Sequence, residues 1–259
     1  MKENHNPPHP STGIKSFLTM ENSLLRKELG DATRRDDRLA CLLKVGELHG
    51  HICPGIALGI MATLTGFREL GVTEAISTGM EDMLAIVETN ACFTDGVQSI
   101  SGCTLGNNSL IYRDLGKTAV TIALRSLPYG MRVRVLPESS GIIDKGAPSF
   151  FPLMDKVVRQ RRGTEDDEAA FMRAGREAAL HLLQQDPDTF LSVERVRPDL
   201  PPYAPITDTL TCPDCGEPFM AVKGVAQTNG RTVCRACGGQ KQYQVEGLGI
   251  VSRTPACVE

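Results

Sequence analysis

From Thr33 apolar residues recur at helical spacing. Leu39, Leu42, Leu43 and Val45 lie opposite Arg34, Arg35, Asp37, Arg38 and Lys44, which predicts an amphipathic helix that delivers the chain to His49, with Gly46 and Gly50 free to end it. After Pro54 a second helix runs to about Leu70 and closes at Gly71; its small residues Gly55, Ala57, Gly59 and Ala62 suit a central helix approached closely by its neighbours. Met83 to Glu88 is a short apolar run that reads as a buried strand, followed by a helix from Phe93 to Ser101 that Gly102 breaks. Lys117 to Leu124 and Met131 to Leu136 alternate across a Pro128-Tyr129-Gly130 turn and predict a hairpin. Thr164, followed by four acids, caps a helix to about Gln185 whose buried stripe is Phe171, Ala174, Ala178 and Leu182.

Organisation follows from the interruptions in this pattern. Residues 1–30 read as a partly disordered leader, in which His5 and His9 have no role, and residues 31–198 as an α+β core domain. Pro201, Pro202 and Pro205 stiffen a linker over 199–206, and residues 207–259 form a small zinc-finger domain with a tail. The N-terminus shows no basic stretch followed by an apolar one, and the longest uncharged run, Ile52 to Phe67, is too short and too rich in Gly and Thr to span a bilayer. A net charge of −3 with pI near 6.0 gives no general attraction to nucleic acid or anionic membrane. Nine cysteines, at least four at metal spacing, imply a reducing cytoplasm and metal ligation in place of disulfides.

Chemistry concentrates in two places. Cys212-x2-Cys215 and Cys234-x2-Cys237, 18 residues apart, have the spacing of a four-thiolate zinc ribbon or treble clef, and Gly216 and Gly238 suit the tight turn after each pair. Four thiolates leave no open position, so the metal there, zinc or alternatively iron, is structural. Five Lys and Arg against five Asp and Glu over 207–259 make this module neutral, so nucleic acid is disfavoured as its partner. Cys257 is spare.

The second place is His49-Gly50-His51-Ile52-Cys53-Pro54-Gly55. If the run is extended, His49, His51 and Cys53 share one side; if it is helical, His49 and Cys53 share a face. Proline keeps Cys53 out of the α conformation and suits the first helical position, so Cys53 sits at a helix N-terminus that favours its thiolate. Cys92 also opens a helix, with Asp95 and Gln98 near its face, while Cys103, past Gly102, reads either as a further ligand or as a small buried hydrophobe. A site of Cys53 with His49 or His51, joined by Cys92 or Cys103, would leave a fourth metal position open. The alternatives are a metal-free thiol enzyme with Cys53 as nucleophile and Cys92 or Cys103 as resolving thiol, or a non-catalytic zinc-finger adaptor that docks a protein or nucleic acid. His181, far from other ligand types, is read as structural.

The runs His49-Gly-His-Ile-Cys-Pro-Gly, Cys92-Phe-Thr-Asp95-Gly-Val-Gln98, Gly102-Cys103-Thr104-Leu-Gly106 and Tyr112-Arg-Asp114-Leu-Gly-Lys117 resemble the FmdE family, a formylmethanofuran dehydrogenase component and its bacterial relatives. The resemblance covers roughly residues 35–240. It implies a thioredoxin-like core with a mixed sheet flanked by helices, a C-terminal treble-clef zinc finger, a core site able to hold a second zinc or another transition metal, and a homodimer. It also implies a role beside molybdenum or tungsten enzyme subunits. By motif position the site would draw on His49, His51, Cys53, Cys92, Asp95 and Cys103, with His51, Cys53 and Cys92 as its metal ligands. Asn107-Asn108 stand where family members often carry Lys-Gly, which removes a positive charge from a loop otherwise able to offer backbone N–H groups to an anion.

Overall fold

In the computed structural model, residues 26–72 and 79–253 are described. His5, His9, Cys257 and most of the expected leader lie outside them. The helix expected from Thr33 is two: α1 (Lys27–Arg34) crosses the expected boundary at residue 30, and α2 (Arg38–His49) follows a break at Asp36, which has φ 51°. Asp37 starts α2 by accepting from the Ala40 amide, and Gly50, at φ 82°, ends it. Cys41, Leu42 and Val45 face the core, whereas Leu39 and Leu43 are exposed. Then come α3 (Pro54–Leu70), β1 (Met83–Val87), α4 (Cys92–Ser101) and β2 (Leu110–Tyr112). Next are β3 (Ala119–Leu124), β4 (Gly130–Val135), α5 (Glu138–Gly146), α6 (Phe150–Met154), α7 (Glu165–Leu183) and β5 (Leu191–Val196).

The sheet has the order β2-β1-β3-β4-β5 and is mixed: β1 and β2 run parallel, joined through α4, and the other pairs are antiparallel. On one face Val87, Val120, Ile122 and Val133 join a core that includes Ile56, Ile60 and Phe67 of α3 and Phe93 and Val97 of α4. Period-two alternation turns Ile86, Thr121 and Arg132, which are cross-strand partners, to the opposite face. There Arg132 donates to both oxygens of Glu88, at 2.6 and 2.8 Å, and Glu88 is buried. The chain after β5 is tied back to the sheet by three groups, Arg113 to the Asp199 carbonyl, Arg125 to the Pro201 carbonyl, and Glu81 to the Ala204 amide.

Helices α3 and α4 touch at backbone distance, because glycine meets glycine. A Cβ on Gly59 would fall on the Phe93 carbonyl oxygen and lie 3.0 Å from the Gly96 Cα, and one on Gly96 would lie 2.5 Å from the Ile56 carbonyl oxygen. One turn earlier, a Cβ on Gly55 would lie 2.8 Å from the Cβ of Cys92.

The C-terminal part forms three two-stranded sheets: β6 (Thr209–Thr211) with β7 (Pro218–Met220), β8 (Val225–Ala226) with β9 (Thr232–Val233), and β10 (Gln242–Glu246) with β11 (Gly249–Arg253). The last hairpin docks on the sheet domain: Asn90 donates to the Glu246 carbonyl at 2.6 Å, and Asp114 accepts from the Ile250 amide at 2.7 Å. No helix among the described residues is long and apolar enough to cross a membrane.

Two outcomes are expected. Gly59→Ala should cost about 3 kcal/mol by forcing backbone from backbone, while Gly141→Ala, with nothing within 4 Å, should be neutral or stabilising; thermal unfolding of both checks this, and equal melting temperatures would count against the seam. Glu88 is held below the usual carboxylate range first by Arg132. Its contribution is therefore present above the unfolded carboxyl value of about 4.3 and is lost as pH falls through the lower folded value. Arg132→Met should cost about 3 kcal/mol at pH 7 by leaving Glu88 buried and unpaired, and the deficit of Glu88→Gln should shrink as pH drops below about 4; a deficit independent of pH in urea melts would exclude this linkage.

Candidate metal centres

The core centre is assembled by three helix ends. His49 is the last residue of α2, Cys53 is the extended residue before Pro54 opens α3 (φ −143°, ψ 163°), and Cys92 is the first residue of α4. Gly50 in the left-handed region turns the chain between the first two, so His49 Nε2 comes to 3.8 Å from Cys53 Sγ. The Gly55–Cys92 contact brings the third donor in, and the ligand atoms of His49, Cys53 and Cys92 all lie within 4.8 Å of one another. On the far side of the ring, His49 Nδ1 donates to Asp95 Oδ2 at 2.6 Å, one turn along α4 from Cys92. That bond orients the ring with Nε2 facing the thiols.

The two thiols are unequal. Cys92 is held down to about 5, first by a hydrogen bond from Cys53 and then by His49, whereas the Cys53 thiol is pushed up because it keeps the shared proton and is buried.

His51 is not among the converging donors; its ring lies against that of His49, tilted by 37° with centroids 4.4 Å apart. Neither is Cys103. Its Sγ faces the Met83 carbonyl at 3.5 Å, it is fully buried, and burial pushes its thiol up to about 11. The loop that follows spends its amides internally, since Asn107 Oδ1 accepts from Thr104 and Ser109 and its Nδ2 donates to the Gly102 carbonyl. Asn107 thus cross-braces the loop in place of an anion. Asp95 as a partner of His49 was not legible as such from spacing; the signal available was a carboxylate one turn into a cysteine-initiated helix.

The second centre gathers Cys212, Cys215, Cys234 and Cys237, whose sulfurs also lie within 4.8 Å of one another. Cys215 and Cys234 are 3.9 Å apart, close to the sulfur separation of about 3.8 Å that tetrahedral bonds of 2.3 Å require. Backbone amides of Cys234 and Cys237 point at Cys212 and Cys234 sulfurs, at 3.4 and 3.5 Å, and the first of these is the main reason that Cys212 is lowered to about 6. Gly216 takes the positive φ expected of it, but in the second knuckle that role falls to Gly239, one residue later, while a Cβ on Gly238 would lie 2.7 Å from Val225. His181 joins neither centre.

Both donor sets fit a divalent soft metal: four sulfurs in a closed set, and one imidazole with two sulfurs in an open one. Asp95→Asn should lower metal affinity at the core centre roughly 10- to 100-fold and leave the four-Cys centre unchanged. Competition with a chelator, followed by cobalt(II) absorption, measures this; equal affinity in variant and parent would remove the positioning role of Asp95.

Comparison with known proteins places these residues. A protein of Archaeoglobus fulgidus named "Probable S-adenosyl-L-methionine-binding protein" is 38% identical over 246 residues, which are 93% of this chain and 65% of that longer protein. The crystal structure of a tungsten formylmethanofuran dehydrogenase FmdE-like protein from Syntrophus aciditrophicus aligns over 76% of this chain and 90% of that one, with TM-score 0.47 and 23% identity. The family model described as "FmdE, Molybdenum formylmethanofuran dehydrogenase operon" matches residues 48–192, which include every donor of the core centre and none of the four-Cys centre. With more than half of its length matched by that model, the chain belongs to the FmdE family.

Proposed function

We propose that this protein is a cytoplasmic zinc protein serving a molybdenum or tungsten enzyme of the formylmethanofuran dehydrogenase type, as subunit or accessory factor. The single observation that carries the reading is the convergence of His49, Cys53 and Cys92 with an Asp95-oriented imidazole. The operon association in the family's description supports the partner. A zinc held by these three residues would supply Lewis acidity at an open fourth position. The chain's own groups act around it: Asp95 orients the His49 ring toward the sulfurs, a hydrogen bond from Cys53 favours the Cys92 thiolate, and the buried start of α3 excludes water from one side.

The four-Cys centre is read as a structural zinc in a treble-clef module over 207–259, reached through the linker 199–206 from a core over 31–198. A thiol at a helix N-terminus packed on a mixed sheet supports taking that core as thioredoxin-like. Exposed Leu39, Leu43 and Leu48 on α2 support a homodimer. That the eight cysteines among the described residues are free supports a reducing compartment. The chain spans 65% of the length of the Archaeoglobus protein.

Purified full-length protein should bind two zinc ions per chain. Cys53→Ser should lose the core ion alone, and Cys237→Ser the other with loss of structure after Thr207. One ion per chain, unaffected by Cys53→Ser, would leave only the structural zinc and remove the proposed function.

A further inference from the structure

The cavity at the junction of β4 and α5, on the sheet face opposite α3, is assigned to neither cysteine centre. Its volume is about 580 Å³, within the range of small-molecule sites. Alternation along β4 sends Val133 into the core and Arg132 and Arg134 outward, and Ala119 pairs with Arg134, so Lys117, two residues before it, comes to the same rim. Three cations therefore line the cavity, with Thr118, Leu136 and Pro137 beside them, and no carboxylate lines it. Ser139 is spent on the Leu136 carbonyl.

Of the three cations, Arg132 is engaged by Glu88 at 2.6 and 2.8 Å and faces Glu194 at 3.5 Å. Lys117 and Arg134 make no ion pair or side-chain hydrogen bond among the described residues. Glu88, already paired with Arg132, senses the Lys117 charge without contacting it. In the run from Tyr112 to Lys117, Tyr112 bonds Asp114, Asp114 holds the C-terminal hairpin and Arg113 holds Asp199, so the Lys117 ammonium is the charged group without a structural task. Two exposed cations without a direct partner on one rim offer their charge to an anion.

We propose that this cavity binds a small organic anion, with its carboxylate or phosphate between Lys117 and Arg134 and its apolar body on Leu136 and Pro137. The site is independent of both metal centres, so its variants should keep the full metal content.

The test is a titration of ¹⁵N-labelled full-length protein with phenyl phosphate, benzoate and uncharged benzyl alcohol. Saturable amide shifts confined to Lys117, Thr118 and residues 134–139 are expected at millimolar phenyl phosphate or benzoate. Response to phenyl phosphate alone would identify a phosphomonoester site, and response to both a general anion site. Lys117→Gln and Arg134→Gln, both at exposed positions, should each weaken binding about tenfold while the rest of the spectrum stays unchanged. No saturable shift with either anion, equal shifts with benzyl alcohol, or undiminished affinity in the double variant overturns the proposal.

Discussion

The contact between α3 and α4 is the constraint on which the core centre depends. Two helices normally pack 8 to 10 Å apart because side chains stand between them. Here Gly59 and Gly96 remove the side chains, and the Ile56 and Phe93 carbonyls occupy the space that Cβ atoms would need. Both helices start with a cysteine at the same end of this seam, and Gly55 admits the Cβ of Cys92 beside that start. The distance between the two thiols is thus a packing result, set by residues that have no chemistry of their own.

The third donor is placed by a different device. Gly50 stops α2 in the left-handed region directly after His49, which leaves the imidazole at a helix end where it can face Cys53 while Asp95 holds its other nitrogen. The result is a half-buried set with one side accessible. The four-Cys centre has the opposite character: four sulfurs gather within 4.8 Å of one another, and knuckle amides point at those of Cys212 and Cys234. One chain thereby carries an open set of three donors and a set of four sulfurs.

Around these centres the sheet serves as a frame with two occupied faces. One face packs the α3–α4 pair, and the other buries Glu88 against Arg132 and gathers further cations near β4. The hairpin β10–β11 is held by Asn90, two residues before Cys92, and by Asp114, so the C-terminal module is anchored beside the loop that leads into the core centre.

The sequence by itself determined the elements whose signals are local. Gly71 ended α3, Pro54 began it, Thr164 capped α7, the Met83 run made β1, and the C-x2-C pairs announced four converging sulfurs. It also brought His49, Cys53 and Cys92 forward as candidates, because residue type and a following proline are readable without coordinates. Tertiary structure alone decided which alternate histidine turns to the sulfurs, since His49 is held there by Asp95 from a distant helix. The same holds for the burial of Cys103 beside Met83, for the parallel pairing of a three-residue β2 with β1, and for β5, which is short and mostly half-buried or exposed. Each of these depends on contacts between residues far apart in the chain, and periodicity along the chain carries no record of such contacts.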